Sequence, residues 1–361
     1  MRVLILDTVY RDFLFEICKK FSAANPEFNE RQAQIFSSRF GTSDSYSFYL
    51  KKIDVEAEEF LCNDPRMLNF FSENLNRYFI TRPGYHLAKI FGLFERLCFN
   101  YIKRGRFDII HCQDIHFFSS KFLYEIKDYC RLLVGQIAAP LPASYKLRQF
   151  DLLLSSLPNF VDYFLQEGMP SEYFRLGFDK RVLRNFVPTE KKYDVIFVGG
   201  LGRHHVEWID FLERVAEHCN LKVFGYGFEN IPKNSILRER HGGTVWGLDM
   251  YAKLSASKIA LNRHISISGR YANNMRLYEA TGMGSLLLTD AKDNLDTLFD
   301  VGSQVLSYDH VDDAVAQVQF YLNNWDLGLK IARAGQKRTL NDHGYDARML
   351  ELKKIYERRV Q

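Results

Sequence analysis

The chain has 361 residues, more than one ordinary domain holds, and this length favours about two domains. Hydrophobic residues make up 47% and charged residues 25%, a mixture typical of folded globular proteins, which excludes a largely disordered chain. The formal net charge is only +4, from 48 basic and 44 acidic side chains, and this near balance argues against a dedicated nucleic-acid-binding protein.

The sequence has no stretch close to the ~20 apolar residues that span a bilayer. The first apolar run, residues 2–6, is ended by Asp7 and is too short for a secretory signal. The 6 cysteines are scattered, without a C-x-x-C pair or nearby histidines, which disfavours zinc and disulfide frameworks. We therefore expect reduced thiols and a cytoplasmic protein. The basic residues at 103–106 leave peripheral contact with an anionic membrane open, although they are more typical of a solvated helix end.

Short apolar runs alternate with helical patterns in the first half of the chain. The strand candidates are residues 2–6, 107–112, 132–137 and 151–155. Residues 87–98 carry apolar side chains at helical spacing. Continuous apolar strands separated by amphipathic helices predict a parallel sheet that is covered on both faces.

The same pattern restarts after a polar, proline-containing segment at residues 187–192, which we predict to be a linker. Strand candidates then follow at residues 193–198, 221–224, 258–262, 285–289 and 304–306. We predict an α/β protein with two tandem Rossmann-like, doubly wound domains that face each other across a cleft. The first domain is expected at 1–186 and the second at 193–340. A terminal helix at 341–361 follows, for which a return to the first domain is open.

Residues 266–290 are the most informative segment. They form in turn a polar loop, a short helix, a glycine stop and a buried strand. Asn273 or Asn274 fits a helix cap, and the free N–H groups of the helix start are a natural place for a phosphate. Arg270 and Arg276 flank that position with charge that suits a diphosphate.

Glu279 lies six residues beyond Asn273, roughly 9 Å along a helix axis, which is about the distance from a diphosphate to the ribose of the same nucleotide. A carboxylate can accept hydrogen bonds from both ribose hydroxyls. The alternative is that Glu279 is an ordinary exposed helix acid and that the two arginines are solvated. The residues alone leave both interpretations open.

Several motifs of the second half resemble a known family. They are the heptapeptide at 274–280, Gly284, the strand end at 289–290, the strand start at 194–199, and the closing segments at 322–324, 332–338 and 343–348. Together they resemble the C-terminal donor-binding domain of glycosyltransferases with the GT-B architecture, in particular the group-1 branch that includes the CgeB-like spore-maturation proteins. The resemblance covers residues 193–350. It is weaker in the first half, where residues 107–114 and 152–156 resemble the acceptor-side domain.

The resemblance implies that the second domain binds a nucleotide-diphosphate sugar and that the first binds an acceptor. In related retaining enzymes, two glutamates hold the donor sugar and the ribose. Glu279 matches the ribose glutamate, whereas Tyr271, eight positions earlier, stands where the other is expected and supplies no carboxylate. Retention or inversion of the sugar's configuration is therefore open.

Further donor contacts are expected from residues that follow predicted strands or line the loop before the helix. They are Gly200, Arg203, His204, Val245, Trp246, Arg263, His264, Ser266, Arg270, Asn273, Asn274 and Met275. The resemblance puts residues 245–246 near the nucleotide base, although a packed tryptophan is an equally good interpretation of Trp246. The adjacent His204 and His205 lack a third ligand, so we expect no metal there.

Four residues of the first domain are candidates for the acceptor side. His111, Asp114 and His116 lie at the carboxyl end of a predicted strand, and Asp7 occupies the same edge. His116 is the first candidate for a base, with Asp114 as a second, and Arg276 of the other domain is expected to help the diphosphate to leave. Each residue taken singly is more typical of a structural or acceptor-orienting role.

We therefore predict a glycosyltransferase that moves a sugar from a nucleotide-diphosphate sugar to an unidentified glycan, protein or small molecule. The chain has no D-x-D triad, so we expect catalysis without a metal and without any cofactor beyond the co-substrate. One alternative is a non-catalytic binding or assembly protein with the same fold. Another is a sugar-nucleotide epimerase. The donor sugar, its base, the acceptor and the oligomeric state cannot be derived from the sequence.

Overall fold

The computed structural model describes residues 1–20, 28–65, 82–187, 190–201 and 206–360. The chain divides into two compact units. The first unit is Met1–Arg175 together with Arg348–Gln361, and the second is Leu176–Ala347.

The first unit is built on a parallel sheet. Its strands are β1 (Arg2–Asp7), β2 (Glu56–Leu61), β3 (Ile109–Cys112), β4 (Leu132–Gln136), β5 (Leu152–Ser155) and β6 (Ser171–Tyr173). Its helices are α1 (Arg11–Lys20), α2 (Phe28–Ser37), α3 (Ser45–Lys51), α4 (Arg82–Ile90), α5 (Leu93–Gly105), α6 (Ser120–Ile126), α7 (Ser144–Leu147) and α8 (Pro158–Gln166), with a 3₁₀ turn at Lys127–Tyr129.

The strand order in this sheet is β2-β1-β3-β4-β5-β6. The order reverses at β1, because β2 pairs with one side of β1 and β3 pairs with the other, both in parallel. The four apolar residues of β1 from Val3 to Leu6 are fully buried, as a strand covered on both faces requires. The strands predicted at 2–6, 107–112, 132–137 and 151–155 are all confirmed.

The second unit has a parallel sheet of its own. Its strands are β7 (Tyr193–Val198), β8 (Leu221–Phe224), β9 (Ser257–Asn262), β10 (Leu286–Asp290) and β11 (Leu306–Tyr308). The helices that follow residue 205 are α9 (Val206–His218), α10 (Leu237–Arg240), α11 (Gly247–Ser255), α12 (Arg276–Gly282), α13 (Leu295–Leu298), α14 (Val311–Asn323), α15 (Trp325–Asp342) and α16 (Tyr345–Val360). The 3₁₀ turns are Lys180–Asn185, Phe228–Asn230 and Ser266–Ser268.

The order of the second sheet is β11-β10-β9-β7-β8, and it reverses at β7. Successive residues of β7 alternate between two hydrophobic clusters. Val195 and Phe197 pack with α9 and α14, whereas Ile196 and Val198 pack with α11 and α12. Helices therefore cover both faces of this sheet, and the predicted doubly wound topology is confirmed.

The boundary between the two compact units lies after Arg175, whereas the predicted linker is at 187–192. Pro188 and Thr189 of that segment lie outside the described residues. Phe178 N donates to His343 O and Tyr345 N donates to Phe178 O, which ties the segment after Arg175 to the second unit. Most of α16, in contrast, is grouped with the first unit. Its Tyr356 hydroxyl lies 2.6 Å from the ring Nδ1 of His111 in β3.

Candidate functional site

In an open parallel sheet, ligands bind beyond the carboxyl ends of the strands where the strand order reverses. In the second unit that point lies between β7 and β9. Gly199 and Gly200 follow β7, and Arg263 and His264 follow β9. The predicted donor-binding loop, residues 265–275, connects β9 to α12. The edge at which we expected a ligand is therefore built from the residues that the sequence singled out.

His264 forms a tight pair with Asp290 at the end of β10. The ring Nδ1 lies 2.7 Å from Asp290 Oδ1, and the backbone N of His264 donates to the same oxygen at 3.0 Å. Lys292 Nζ lies 3.3 Å from the other oxygen, Oδ2. Burial alone would raise the pKa of Asp290, but the hydrogen bond from His264 and the positive charges of His264 and Lys292 hold this pKa below its usual value. Asp290 is therefore an ionised carboxylate at neutral pH.

A chain of side-chain hydrogen bonds connects this pair to the start of α12. Asn274 Nδ2 donates to Asn262 Oδ1 at 2.9 Å, and Asn262 Nδ2 donates to Thr289 Oγ1 at 2.9 Å. Thr289 Oγ1 in turn donates to Asp290 Oδ1 at 3.2 Å. The side chains of the loop, β9 and β10 thus form one polar layer at the carboxyl edge of the sheet.

Asn274 also bonds to the first turn of α12, because its Oδ1 accepts a hydrogen bond from Leu277 N at 3.2 Å. The helix has 7 residues, so its dipole is short and one of its free N–H groups is already bonded. Asn273 and Met275 are half-buried beside it. The helix start therefore offers an anion less than the sequence alone suggested.

Glu279 is buried, with 6% of its side chain exposed, so the alternative of an ordinary exposed helix acid is wrong. Its Oε2 pairs with Arg276 Nη1 at 2.8 Å, and its Oε1 accepts a longer hydrogen bond from the Tyr251 hydroxyl at 3.4 Å. Arg276 Nη1 also lies 3.2 Å from Met250 Sδ. The guanidinium of Arg276 therefore neutralises Glu279 in this structure rather than standing free for a diphosphate.

The loop before α12 is more exposed. Arg270 has 81% of its side chain exposed and pairs with Asp293 at 2.6 Å, and Ser266 is exposed. Lys292 Nζ donates to Gly269 O at 2.7 Å, and Asn294 Oδ1 accepts from Ala272 N at 2.6 Å. The residues after β10 thus hold this loop in place at three points.

Glycines shape the turn after β7. A side chain at Gly225, after β8, would place its Cβ 1.8 Å from Gly199 O, so the two backbones touch at this point. A Cβ at Gly200 would lie 2.6 Å from the ring of Tyr226. That ring stacks on Trp246 with 5.5 Å between centroids and 14° between planes. Trp246 is half-buried, with one face of its ring against Tyr226.

The remaining donor-side predictions lie around this edge. Val245 is half-buried and packs on the core beneath α11. The Arg263 guanidinium lies over the ring of Phe211 at 5.6 Å, and both line a pocket of about 550 Å³ beside Tyr308 at the end of β11. Arg203 and His204 lie outside the described residues. Across the described residues, no three His, Cys, Asp or Glu side chains converge to hold a metal ion.

In the first unit, Asp7 lies at the corresponding reversal point. Its Oδ1 accepts from Thr8 N at 2.7 Å, and Thr42 Oγ1 lies 2.8 Å from both Asp7 Oδ2 and Gln113 Oε1. Burial raises the pKa of Asp7 to about 7; the bonds to Thr42 and Thr8 act against this rise, and the charge of Asp114 adds to it. Asp7 is therefore a carboxyl group that titrates near neutral pH.

The other acceptor-side residues separate into an accessible and a buried group. Asp114 accepts from the Thr8 hydroxyl at 2.7 Å and from the backbone N of His116 at 3.0 Å, and His116 is exposed. His111 is fully buried, and its ring contacts Tyr356 of α16. Burial lowers the pKa of His111 to about 3, so this ring is neutral. His111 thus belongs to the core of the unit, because a residue inside β3 faces the covering helices rather than the strand end.

Sequence reasoning missed the partners that orient the predicted residues. They are Tyr251, Asn262, Thr289, Asp290 and Lys292. The strand end at 289–290 belonged to the motif, which was a signal for two of them. Nothing in the local pattern indicated that Tyr251 reaches α12.

Comparisons with known proteins agree with this architecture. Residues 203–354 match the family model described as Glycosyl transferase-like. The structure of sucrose-phosphate synthase from Thermosynechococcus elongatus is similar at 11% identity, with 99% of each chain covered and a TM-score of 0.61. Anabaena Alr3699/HepE in complex with UDP-glucose matches at 12% identity, with 99% of this chain and 100% of that chain covered and a TM-score of 0.59. A glycosyltransferase from Rickettsia africae matches at 12% identity, with 100% and 98% covered and a TM-score of 0.55.

No curated protein matches the chain. At these identities the solved structures establish the fold, which is the two-domain GT-B fold of glycosyltransferases. The range that is similar to the family model lies mostly in the second unit. Among the described residues, no helix is both long and apolar enough to cross a membrane.

Proposed function

We propose that the protein is a glycosyltransferase that takes a sugar from a nucleotide-diphosphate sugar and transfers it to an acceptor hydroxyl. The polar layer from Asn274 to Asp290 is the observation that carries the proposal, because it gathers the predicted donor loop at the reversal point of the second sheet. The HepE structure with UDP-glucose supports a nucleotide-diphosphate sugar as the class of donor. Membership of the CgeB-like branch is part of this proposal.

In this proposal the second unit binds the donor. Glu279 accepts hydrogen bonds from the ribose hydroxyls, and its ion pair with Arg276 orients the carboxylate. The backbone at Gly199 and Gly200 approaches the diphosphate, since neither residue has a side chain in the way. The charge that grows on the leaving diphosphate is met by the cations of this edge, which makes a metal ion unnecessary.

The first unit binds the acceptor in this proposal. The acceptor oxygen forms a bond to the anomeric carbon of the sugar, and the bond from that carbon to the diphosphate oxygen breaks. The hydroxyl proton goes to a base at the edge formed by Asp7, Asp114 and His116, of which His116 is exposed. The proposal includes a glycan, a protein or a small molecule as the acceptor.

The test combines binding and transfer. Glu279→Gln removes the charge that accepts the ribose hydroxyls, and we expect UDP affinity to fall about 10- to 100-fold, since hydrogen bonds to charged groups contribute about 1.5–3 kcal/mol. Glu217→Gln is the matched control, because it breaks another Arg–Glu pair three residues apart on an exposed helix face of the same unit. Calorimetric titration measures both. Equal affinity of the Glu279 variant and the wild type would count against the assignment.

Transfer is measured with a panel of nucleotide sugars and candidate acceptors. Sustained transfer that requires both donor and acceptor supports the enzyme. A second candidate function, a non-catalytic binding protein, is favoured by Tyr271, which supplies no carboxylate where related enzymes hold the sugar. Nucleotide binding without transfer from any donor would favour it. Interconversion of donors without an acceptor would instead indicate an epimerase.

A further inference from the structure

One atom of the polar layer has no partner. The Nε2 of His264 is buried and accepts or donates no hydrogen bond within the described part of the chain, although the side chain is 0% exposed. Leaving such a group unpaired costs about 1–3 kcal/mol. Every other polar atom of the His264–Asp290 contact is bonded. An unpaired ring nitrogen at the ligand-binding edge of the sheet is what a ligand atom would satisfy.

The ring's protonation follows from its partner. Asp290 is ionised and can only accept, so Nδ1 of His264 carries a hydrogen. In the neutral ring Nε2 then carries a lone pair and can only accept a hydrogen bond. In the imidazolium it carries a hydrogen and donates. An anionic oxygen bonds well to the N–H and is repelled by the lone pair. A phosphate at Nε2 therefore requires the charged ring.

Of the surrounding charges, Asp290 favours the imidazolium, and the cations Lys292 and Arg263 oppose it. Asp290 contributes one negative charge beneath the ring, and Lys292 lies on the far oxygen of the same carboxylate. Arg263 directly precedes His264 in the chain and lies over an aromatic ring, and the Tyr308 hydroxyl donates to Asn262 O. The other carboxylate of the loop, Asp293, is paired with Arg270. Asp210 and Asp309 line the same pocket as Arg263, Asp290 and Lys292, so the imidazolium adds a positive charge to an edge that carries both signs.

We propose that His264, held by Asp290, binds the donor diphosphate as an imidazolium through Nε2, so that nucleotide binding takes up a proton. This inference rests on the proposed function and adds to it a phosphate-binding residue and a proton linkage. As the bond from the sugar to the diphosphate breaks, its electron pair stays on the phosphate oxygen. The Nε2 hydrogen bond stabilises that charge. A purely structural His264, which joins β9 to β10, would show no such linkage.

The experiment titrates the full chain with UDP and, as a phosphate-free probe, with uridine. Titrations at about pH 8, where a phosphate with a pKa near 6 is ionised, are run in buffers of different ionisation enthalpy to count protons. We expect proton uptake with UDP and none with uridine. His264→Asn retains a donor toward Asp290 and removes Nε2. It should lose the uptake and bind UDP about 10- to 100-fold more weakly, with uridine affinity unchanged.

His264→Gln is the second variant, because its amide nitrogen can reach the Nε2 position and cannot titrate. It should recover part of the UDP affinity without any proton uptake. UDP binding by the wild type without proton uptake, or equal uptake in the His264→Asn variant, would overturn this inference and leave the proposed function standing. Failure of UDP, GDP and ADP to bind the wild type would overturn both.

Discussion

Asp7→Asn offers a quantitative test at the acceptor-side edge. Thr42 has one hydroxyl proton and lies 2.8 Å from an oxygen of Asp7 and 2.8 Å from Oε1 of Gln113. It can donate to one of the two. Either Asp7 is protonated and donates to Thr42, or the Gln113 amide is turned so that its nitrogen, which lacks a partner as oriented, faces the hydroxyl. Asparagine reproduces the protonated acid.

The two arrangements differ in how stability depends on pH. The pKa of Asp7 is raised from 3.8 to about 7 in the folded state, mainly by burial. A raised pKa contributes stability that is complete below pH 3.8 and is lost as the pH rises through 7. Three pH units correspond to about 4 kcal/mol. Relative to the Asp7→Asn variant, the wild type should therefore lose about 4 kcal/mol of unfolding free energy between pH 4 and pH 8.

Urea unfolding at several pH values measures this difference. The protein's 3 tryptophans, Trp208, Trp246 and Trp325, belong to the second unit, so their fluorescence serves as an internal control. Far-ultraviolet circular dichroism follows the first unit together with the second. A stability difference between wild type and variant that is independent of pH would refute the reasoning. It would show that Asp7 is ionised throughout and that the Gln113 amide is turned.

Three further substitutions test the fold around both sites. Gly225→Ala should lose about 3 kcal/mol of stability in tryptophan-monitored unfolding, because φ is +142° and the new Cβ would meet Gly199 O. Gly243→Ala, where the new Cβ has open space at φ +94°, is the control and should lose about 1 kcal/mol. Equal losses in the two variants would contradict the close approach of Gly225 to Gly199. Tyr356→Phe should lower the free energy of unfolding by about 1–3 kcal/mol, because it leaves Nδ1 of the buried His111 unpaired. Unfolding monitored by circular dichroism measures this loss, with the exposed Tyr124→Phe as the control. An equal loss in the two variants would contradict this role of Tyr356. Asn262→Ala removes both bonds that join the loop to Thr289 and should weaken UDP binding in calorimetry, with unchanged affinity as the opposing result.

Apolar runs made the strands predictable. β1 contains four buried apolar residues in a row, and a short run of this kind predicts a strand that is covered on both faces of its sheet. β2 was missed because its sequence, Glu-Ala-Glu-Glu-Phe-Leu, carries three acids. It is an edge strand, so part of it faces solvent. Its Glu59 is nevertheless buried and accepts from Ser47 N, a contact 12 residues away that no local pattern indicates.

The candidate site was predictable where a motif is local and was not where it depends on pairing between strands. Asn274 and His264 were identified from their places after a loop and a strand. Their partners become neighbours because β9 and β10 pair with Asn262 opposite Thr289, a register that the sequence alone does not determine. The spacing of Arg276 and Glu279 was compatible with an ion pair on one helix face. The ligand interpretation assigned both charges to a nucleotide instead.

The claim on which the account depends is that a nucleotide binds at the carboxyl ends of β7 and β9. A crystal structure of the full chain with UDP tests it most directly. The account predicts a phosphate oxygen about 3 Å from Nε2 of His264 and the ribose hydroxyls on the carboxylate of Glu279. A nucleotide bound elsewhere, such as in the pocket beside Tyr308 with His264 and Glu279 untouched, would contradict it.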